Sequence, residues 1–226
     1  MNGEIRVVEN VSAAFAELVN EVFVNRPDTA VSGNQRFTLA LSGGSSATSA
    51  YEALAREPLD WTKITVVWGD ERCVPLDHPD SNYALAKAAL LDKVGPLAAV
   101  HPMRCDDGAE VYDKIIRFLL PLDVVHLGVG PDGHTASLFP GAPALDAPAD
   151  CLAIETGDDL HPHPRMSLTF SAISQSRLAV FTVSGDAKRA VFQRLRQGED
   201  LPAGRVTAER VVWLVDEAAA GSAAQE

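Results

Sequence analysis

The sequence lacks several features that would each have indicated a particular class of protein. It has no apolar run approaching ~18 residues, which a transmembrane helix needs, and no charged-then-apolar signal pattern at its N-terminus. Its 19 Lys and Arg are outnumbered by 31 Asp and Glu, which gives a net charge of −12. Nucleic acids and anionic membranes both select a basic face. We therefore expect a cytoplasmic protein with neither partner, although a small anionic substrate would need only a local basic pocket.

Cysteine is also scarce, and no motif for a metal is present. The three cysteines, Cys73, Cys105 and Cys151, are far apart and form no C-x-x-C pair. This spacing predicts neither a disulfide framework nor a zinc site, and it fits a reducing compartment. His161 and His163 alternate with prolines and have no third ligand at a useful spacing, so we expect a loop there and no metal.

What the sequence does contain is a regular alternation of apolar strands and amphipathic helices. Strands are predicted at 36–41, 64–70, 123–130 and 210–216, and helices at 11–23 and 109–120. This alternation predicts an α/β protein with a mainly parallel sheet covered by helices on both faces. No internal repeat or long linker interrupts it, so we expect a single domain over 1–226 with a frayed tail at about 217–226.

Three predicted strands end in glycines or charged residues. The segments are "LALSGGSS", "VVWGDERC" and "HLGVGPDGH". Ligands of parallel sheets bind at the carboxyl ends of the strands, so these segments are expected to meet at one site.

The turn "SGGSS" at 42–46 allows more than one interpretation. Its glycines would let backbone N–H groups at a helix start approach an anion, and Ser45 would add a hydroxyl donor. The turn is also close to the G-x-S-x-G nucleophile elbow, and Ser45, Asp70 and His134 follow the chain order of α/β-hydrolases. Because Ala47 replaces the second glycine of that motif, we favour the anion cradle. A serine esterase and a purely structural turn are the alternatives.

The segment "GVGPDGHTASLFPG" at 128–141 begins with the G-x-G-x-x-G pattern of dinucleotide-binding turns. A dinucleotide fold needs a full helix after the third glycine, and Pro140 stops one here. We therefore interpret the glycines as a frame for Asp132 and His134, since histidine is the side chain best suited to move protons near neutral pH. The alternative is that His134 caps a short helix or fills a polar gap.

Three basic residues are candidates for binding an anionic substrate. Arg72 follows a buried strand and would offer its planar fork to substrate oxygens, although with Asp70 and Glu71 it could simply form a solvated loop with a local ion pair. Arg165 precedes a short predicted strand. Lys188 lies in the first turn of a predicted helix, where the helix dipole disfavours a cation, so it points to an anionic ligand nearby unless it is a plain surface lysine.

Several of these segments together resemble one enzyme family. "LALSGGSSATSAYEAL", "VVWGDERCVPLDHPDSNYALAKAALL", "VVHLGVGPDGHTASLFPG", "RMSLTFSAI" and "VSGDAKRAVF", in this order, resemble the 6-phosphogluconolactonases. The likeness spans roughly 35–195, and D-G-H-T-A-S-L-F-P is its most specific part. It implies a Rossmann-like three-layer sandwich, which that family shares with glucosamine-6-phosphate deaminases and ribose-5-phosphate isomerases.

The resemblance also implies a reaction and roles for the candidate residues. The reaction would be hydrolysis of 6-phospho-D-glucono-1,5-lactone to 6-phosphogluconate in the oxidative pentose phosphate pathway, without a cofactor. Separately from the resemblance, we expect a monomer or weak homodimer. His134 would deprotonate the attacking water, with Asp132 or Asp70 orienting it. Arg72 and turn N–H groups would hold the sugar or the developing oxyanion. The phosphate ligands would be Gly43, Gly44, Ser45, Arg165 and Lys188.

Two other functions on the same fold are less consistent with the sequence. In an amino-sugar-phosphate deaminase or isomerase, the acidic residue at Asp70 would move a proton on a sugar carbon, but Arg72 and "TASLFPG" favour the lactonase. A sugar-phosphate-binding regulator would need a DNA-binding helix-turn-helix, for which we expect no room before residue 35 and which the acidic charge opposes.

Overall fold

The computed structural model describes residues 1–26, 36–157 and 161–221. Its strands are β1 (Glu4–Val7), β2 (Phe37–Leu41), β3 (Ile64–Trp68), β4 (Asp70–Arg72), β5 (Ala99–Val100), β6 (Leu122–Leu127), β7 (Ala153–Thr156), β8 (Arg165–Leu168), β9 (Ser176–Val183) and β10 (Arg210–Val215). Its α-helices are α1 (Val11–Val24), α2 (Ser45–Leu54), α3 (Asn82–Ala86), α4 (Ala109–Leu119), α5 (Phe170–Ser174), α6 (Arg189–Arg196), α7 (Pro202–Arg205) and α8 (Glu217–Ala220).

The central sheet has seven parallel strands in the order β1-β10-β9-β6-β2-β3-β5. From β2 the chain builds outward through β3 to β5, whereas from β6 it builds in the opposite direction through β9 to β10. The strand order therefore reverses between β2 and β6. At such a switch point the loops diverge to opposite faces and leave a crevice at the carboxyl ends of the strands.

Both faces of this sheet are covered. Every residue of β2, β3 and β6 is buried, and consecutive side chains of a strand point to opposite faces. On one face α1 packs against α2 and contacts β9 and β10. In the core Phe181 and Trp213 stack with their ring centroids 3.8 Å apart. The predicted Rossmann-like three-layer α/β sandwich is confirmed.

A second, antiparallel sheet of three strands, in the order β4-β8-β7, was not predicted. The run 64–70, taken as one strand, is divided at Gly69 into β3 and β4. The Gly69 N–H donates to Leu41 O (2.7 Å), while Gly69 O accepts from Leu168 N–H (2.8 Å). Gly69 thus joins the end of β2 to the small sheet, which places that sheet at the carboxyl edge of the large one.

The prediction that the cysteines form no disulfide was wrong. Cys73 and Cys105 are bonded, with their Cα atoms 5.4 Å apart. Cys73 directly follows β4, and Cys105 lies in the 3-10 turn before α4, so it is the tertiary fold that brings together two residues 32 positions apart. The argument from cysteine usage to a reducing compartment loses its basis.

Two further observations concern the C-terminal residues and the lengths of the helices. Glu217–Ala220, at the start of the tail that was expected to fray, form α8, which Asp216 caps and in which Ala219 is buried. The rest of the predicted frayed tail, 222–226, lies outside the described residues. None of the described helices combines the length and the apolar character that crossing a bilayer requires.

Candidate active site

A cavity of about 300 Å³ opens at the carboxyl edge of the parallel sheet, beside the switch point. Its walls come from the segments that follow β2, β3, β6 and β9, together with the small sheet. Eight of the nine predicted site residues line it: Gly43, Gly44, Ser45, Asp70, Arg72, His134, Arg165 and Lys188. The ninth, Asp132, contacts the cavity only through its hydrogen bond to His134.

The turn between β2 and α2 presents the start of a helix to this cavity. Helix α2 begins at Ser45, and its N-cap Gly44 has a φ of 92°. The first N–H groups of a helix have no partner within the helix, and the helix dipole favours an anion beside them. A Cβ on Gly43 would lie 1.8 Å from Asn82 Oδ1, so only glycine lets the turn pass this side chain. The turn has the geometry of the predicted anion cradle.

A buried tyrosine supports this turn from below. The Ser42 N–H donates to Tyr51 Oη (2.5 Å), which also lies 2.8 Å from Ser42 O. The same oxygen is 3.0 Å from Nδ1 of His126, whose Nε2 is 2.9 Å from Thr182 Oγ1. Complete burial lowers the pKa of His126 to about 3 and keeps its ring neutral.

His126 is a residue that the sequence analysis missed, although it lines the cavity floor. It lies in β6, inside the run "DVVHLGVG", which was interpreted only as an apolar strand. The one available signal was that this run contains a histidine and, apart from Asp123 at its start, no other polar side chain.

Asp132 and His134 form a hydrogen-bonded pair in the loop after β6. Asp132 Oδ1 lies 2.6 Å from His134 Nδ1 and also accepts the His134 backbone N–H at 3.2 Å. Burial lowers the pKa of His134, and the charge and hydrogen bond of Asp132 oppose that shift. With Nδ1 engaged, Nε2 has no hydrogen-bond partner among the described residues and belongs to a side chain that lines the cavity.

Gly130 makes room for this pair. A Cβ on Gly130 would lie 2.1 Å from His134 Nδ1 and 2.6 Å from Asp132 Oδ1. Its backbone closes the loop, because the Gly130 N–H donates to His134 O at 2.9 Å. After Gly133 the chain forms an isolated β-bridge between Thr135 and Leu138 rather than the helix that a dinucleotide-binding turn needs.

Asp70 is buried beside the same loop, but its side chain makes its hydrogen bonds to residues other than His134. Its Oδ2 accepts from Ser137 Oγ at 2.7 Å, and its Oδ1 accepts from Asn82 Nδ2 at 3.2 Å. The neighbouring Glu71 accepts the backbone N–H groups of Asn82 and Tyr83, at 2.7 and 2.8 Å, and so anchors the start of α3. Asp70 therefore acts on His134 through its charge, which raises the pKa of His134, and not through a hydrogen bond.

Two arginines face each other on the small sheet. Arg72 on β4 is the register partner of Arg165 on β8, and like charges placed directly opposite destabilise a sheet. Both side chains line the cavity, and Arg165 is only 7% exposed. Arg72 Nη1 donates to Asp80 O at 2.5 Å. Two neighbouring guanidinium groups on one wall make this part of the cavity attractive to an anion.

Lys188 approaches from the segment after β9. It ends the 3-10 turn Asp186–Lys188 that precedes α6, and its Nζ donates to Val129 O at 2.6 Å. Burial lowers the pKa of Lys188, while the charge of Asp132 opposes the shift. A half-buried ammonium that lines a polar cavity fits the predicted role of an anion ligand.

Phe139 brings His161 to the site, a second residue that was not predicted there. Its ring stacks on His161 with centroids 4.6 Å apart, and the Arg165 guanidinium lies 6.0 Å from its centroid. The His134 ring lies 4.8 Å from Phe139. Among the described residues, no group of three or more His, Cys, Asp or Glu is arranged to hold a metal ion.

Comparison with known proteins agrees with the resemblance. The family model "Glucosamine-6-phosphate isomerases/6-phosphogluconolactonase" matches residues 10–213. The 6-phosphogluconolactonase of Synechocystis sp. is 37% identical over 80% of this chain and 82% of its own. That of Nostoc sp. is 34% identical over 97% of this chain and 98% of its own. The crystal structure of 6-phosphogluconolactonase from Thermotoga maritima is 28% identical, with a TM-score of 0.78 over 95% of this chain and 100% of that one.

Family model, relatives and fold thus agree on one assignment, and the cavity lies where a Rossmann-like sheet binds its ligands. The resemblance inferred from the glycine turns and the D-G-H segment is confirmed. The chain belongs to the family of glucosamine-6-phosphate isomerases and 6-phosphogluconolactonases, and it is an enzyme of the 6-phosphogluconolactonase kind.

Proposed function

We propose that the enzyme hydrolyses 6-phospho-D-glucono-1,5-lactone to 6-phosphogluconate by attack of a water molecule that His134 activates. The observation that carries the proposal is one cavity that combines three parts. These are an acid-paired histidine with an available ring nitrogen, a helix start shaped for an anion, and three basic side chains. Hydrolysis of a phosphorylated lactone needs all three of them.

The phosphate would bind between the cradle and the basic residues. Backbone N–H groups at Gly44 and Ser45 and the Lys188 ammonium approach the cavity from the edge of the large sheet. Arg165 approaches from the small sheet. Each charge-assisted bond of this kind is worth about 1.5–3 kcal/mol, so these contacts overcome the repulsion of a chain whose net charge is −12.

The histidine would act first as a base and then as an acid. Asp132 holds Nδ1–H, which leaves Nε2 to take a proton from water as the water oxygen bonds to the lactone carbonyl carbon. The carbonyl π electrons move to oxygen, and Arg72 with turn N–H groups would stabilise this oxyanion. When the oxyanion collapses, the bond from carbon to the ring oxygen breaks. The proton on Nε2 passes to that oxygen, which gives the open-chain acid.

Ser45 fits a donor better than a nucleophile. A serine esterase needs its serine hydrogen-bonded to Nε2 of the base, whereas Ser45 begins a helix as an exposed residue and, within the described part of the chain, its hydroxyl makes no hydrogen bond to His134. We expect the activity of Ser45→Ala to fall about tenfold, the value of one hydrogen bond. Neither the wild type nor the variant should form an acyl-enzyme. A burst of acyl-enzyme that disappears in Ser45→Ala would instead establish the esterase.

The decisive experiment compares three substrates in one assay series. Proton release is followed on freshly prepared 6-phosphoglucono-δ-lactone and on unphosphorylated gluconolactone, with the spontaneous rate subtracted, and ammonia release is followed on glucosamine-6-phosphate. We expect acceleration of the phosphorylated lactone and little of the other two. Ammonia release without lactone hydrolysis would overturn the proposal, and equal turnover of both lactones would remove the phosphate site from it.

A further inference from the structure

A chain of four buried polar groups crosses the floor of the cavity and connects four elements. Thr182 on β9 bonds His126 on β6, His126 bonds Tyr51 on α2, and Tyr51 bonds Ser42 at the end of β2. None of the four residues is more than 6% exposed. Buried polar groups that are all paired fix a single arrangement, because leaving one without a partner is unfavourable.

The hydrogen positions in this series of hydrogen bonds can be assigned from the groups that can only donate or only accept. Ser42 N–H can only donate, and it donates to Tyr51 Oη; Ser42 O can only accept, so the tyrosine hydrogen points to it. Tyr51 then has no hydrogen left for His126, and Nδ1 of His126 must carry one and donate it. Nε2 is left as an acceptor for the Thr182 hydroxyl.

The other tautomer of His126 would break this pattern. With its hydrogen on Nε2, Nδ1 would take the tyrosine hydrogen. Ser42 O would then face an oxygen lone pair of Tyr51 at 2.8 Å. The hydroxyl can satisfy both backbone groups of Ser42 only while His126 donates to it.

We propose that His126 is a positioning residue for the anion cradle. As the neutral Nδ1–H tautomer it donates to the Tyr51 hydroxyl, which then donates to Ser42 O and accepts the Ser42 N–H. This fixes the peptide that leads into Gly43 and Gly44, and with it the direction of the N–H groups at the start of α2. The inference rests on the proposed function only for the identity of the anion.

Two further observations agree with this role. Burial holds the ring neutral, and the Phe15 ring packs on it with centroids 4.4 Å apart. Both ring nitrogens of His126 are engaged within the chain of hydrogen bonds, unlike those of His134. His126 therefore acts through Tyr51 and does not exchange protons with the substrate.

The tautomer is tested directly on the wild-type protein. Nitrogen NMR of enzyme labelled in its histidines separates the two tautomers and the imidazolium, and a His126→Leu spectrum assigns the signal. We expect His126 to be neutral with its hydrogen on Nδ1 throughout the neutral range. A hydrogen on Nε2, or a charged ring, overturns the proposal even if no variant folds.

The effect on the cradle is tested by calorimetric affinity for inorganic phosphate. His126→Leu removes the donor and is expected to weaken phosphate binding about tenfold, the value of one hydrogen bond. His126→Asn places an amide donor close to the position of Nδ1 and should recover binding to within about threefold. In the Tyr51→Phe background, His126→Leu should add no further loss. Phe15→Leu, which changes only the packing on the ring, should lower stability and leave phosphate affinity unchanged.

The outcomes distinguish this inference from the proposed function. Unchanged phosphate affinity in His126→Leu, or Asn as weak as Leu, would mean that the ring serves only as packing and would refute the positioning role. An enzyme with the Nδ1–H tautomer and the expected phosphate series but no lactone hydrolysis would refute the proposed function alone. The acid limb of the rate should be the same in His126→Asn and wild type, because His134 sets it.

Discussion

The behaviour of His134 depends on two opposing influences on one side chain. Burial lowers its pKa below the ordinary value of about 6.5, and Asp132 pulls it back. The net result is a ring that stays neutral into mildly acid solution, where an exposed histidine would already be protonated. Asp132 also fixes the ring orientation, so that a neutral Nε2 remains available as a base.

We predict that His134→Gln lowers kcat by about 10²–10⁴, the usual value of general-base catalysis, with little change in KM because the phosphate contacts remain. The wild-type rate should fall as the pH drops through the pKa of His134, since the protonated ring cannot accept a proton. That limb should be missing in the variant. If His134→Gln stays within about threefold of wild type while Asp70→Asn is inactive, the base is Asp70.

Lys188 is a second residue whose protonation state matters for its proposed role, the binding of phosphate. Burial lowers its pKa, so the ammonium loses its charge at a lower pH than an exposed lysine would. We predict that KM for the phosphorylated lactone rises toward alkaline pH. Lys188→Met should raise KM by about 10- to 100-fold, the value of one charge-assisted bond, with a smaller effect on kcat.

The control for Lys188 is Lys188→Arg, which keeps its charge at every accessible pH. Its KM should not rise on the alkaline side, whatever its absolute value. An identical alkaline rise in Lys188→Arg and wild type would assign the titration to another group.

At the scale of single elements, the loop after β6 depends on the absence of a side chain at Gly130. We predict that Gly130→Ala separates Asp132 from His134, because the new Cβ would occupy the space 2.1 Å from His134 Nδ1. The loss in kcat should approach that of His134→Gln. Gly95→Ala, whose Cβ would meet nothing within 4 Å, is the matched control. Full activity in Gly130→Ala would show that the close pair is not needed.

The elements also show what could and could not be predicted from the sequence. β2, β3 and β6 were predictable because uninterrupted apolar runs are typical of strands buried on both faces. Serine is a typical N-cap residue, and Ser81 caps α3, where its Oγ accepts the Ala84 N–H at 3.2 Å. The three-residue β4 was not predictable, because its partner β8 lies almost a hundred positions away and nothing local marks the pairing.

The candidate site was likewise predictable only in part. The three segments that were predicted to meet follow β2, β3 and β6, and the topology of a parallel sheet brings those strand ends together. Which carboxylate bonds His134 could not be predicted, because Asp70 and Asp132 both follow strands and only the loop geometry separates them. His126 was missed because a buried histidine within an apolar run leaves no periodic signal.

At the scale of the whole molecule, His126 links folding to pH. Its pKa is about 3 in the folded protein and about 6.5 in an unfolded chain, so between these values the unfolded state binds one more proton. We predict that this residue makes the free energy of unfolding fall by about 1.4 kcal/mol for each pH unit below about 6.5. The slope is measured by denaturant unfolding at several pH values.

The matched variant His126→Leu should lack this contribution of one proton and show a shallower dependence on pH. Buried carboxyls whose pKa is raised, Glu71 and Asp123, act in the opposite direction and are common to both proteins. Only the difference between the two slopes therefore reports on His126. Equal slopes would mean that His126 is protonated in the folded state.

The disulfide between Cys73 and Cys105 closes a loop that contains α3 and β5 and begins one residue after Arg72. Closing a loop of this length stabilises a fold by about 3–4 kcal/mol, mostly by restricting the unfolded chain. We predict that a reductant, or Cys73→Ser, lowers the free energy of unfolding by about this amount. Cys151→Ser, a change at the remaining free cysteine, should not. The same polypeptide would then have a shorter thermal half-life when made in a reducing compartment than in an oxidising one, so its lifetime in the cell depends on where it folds.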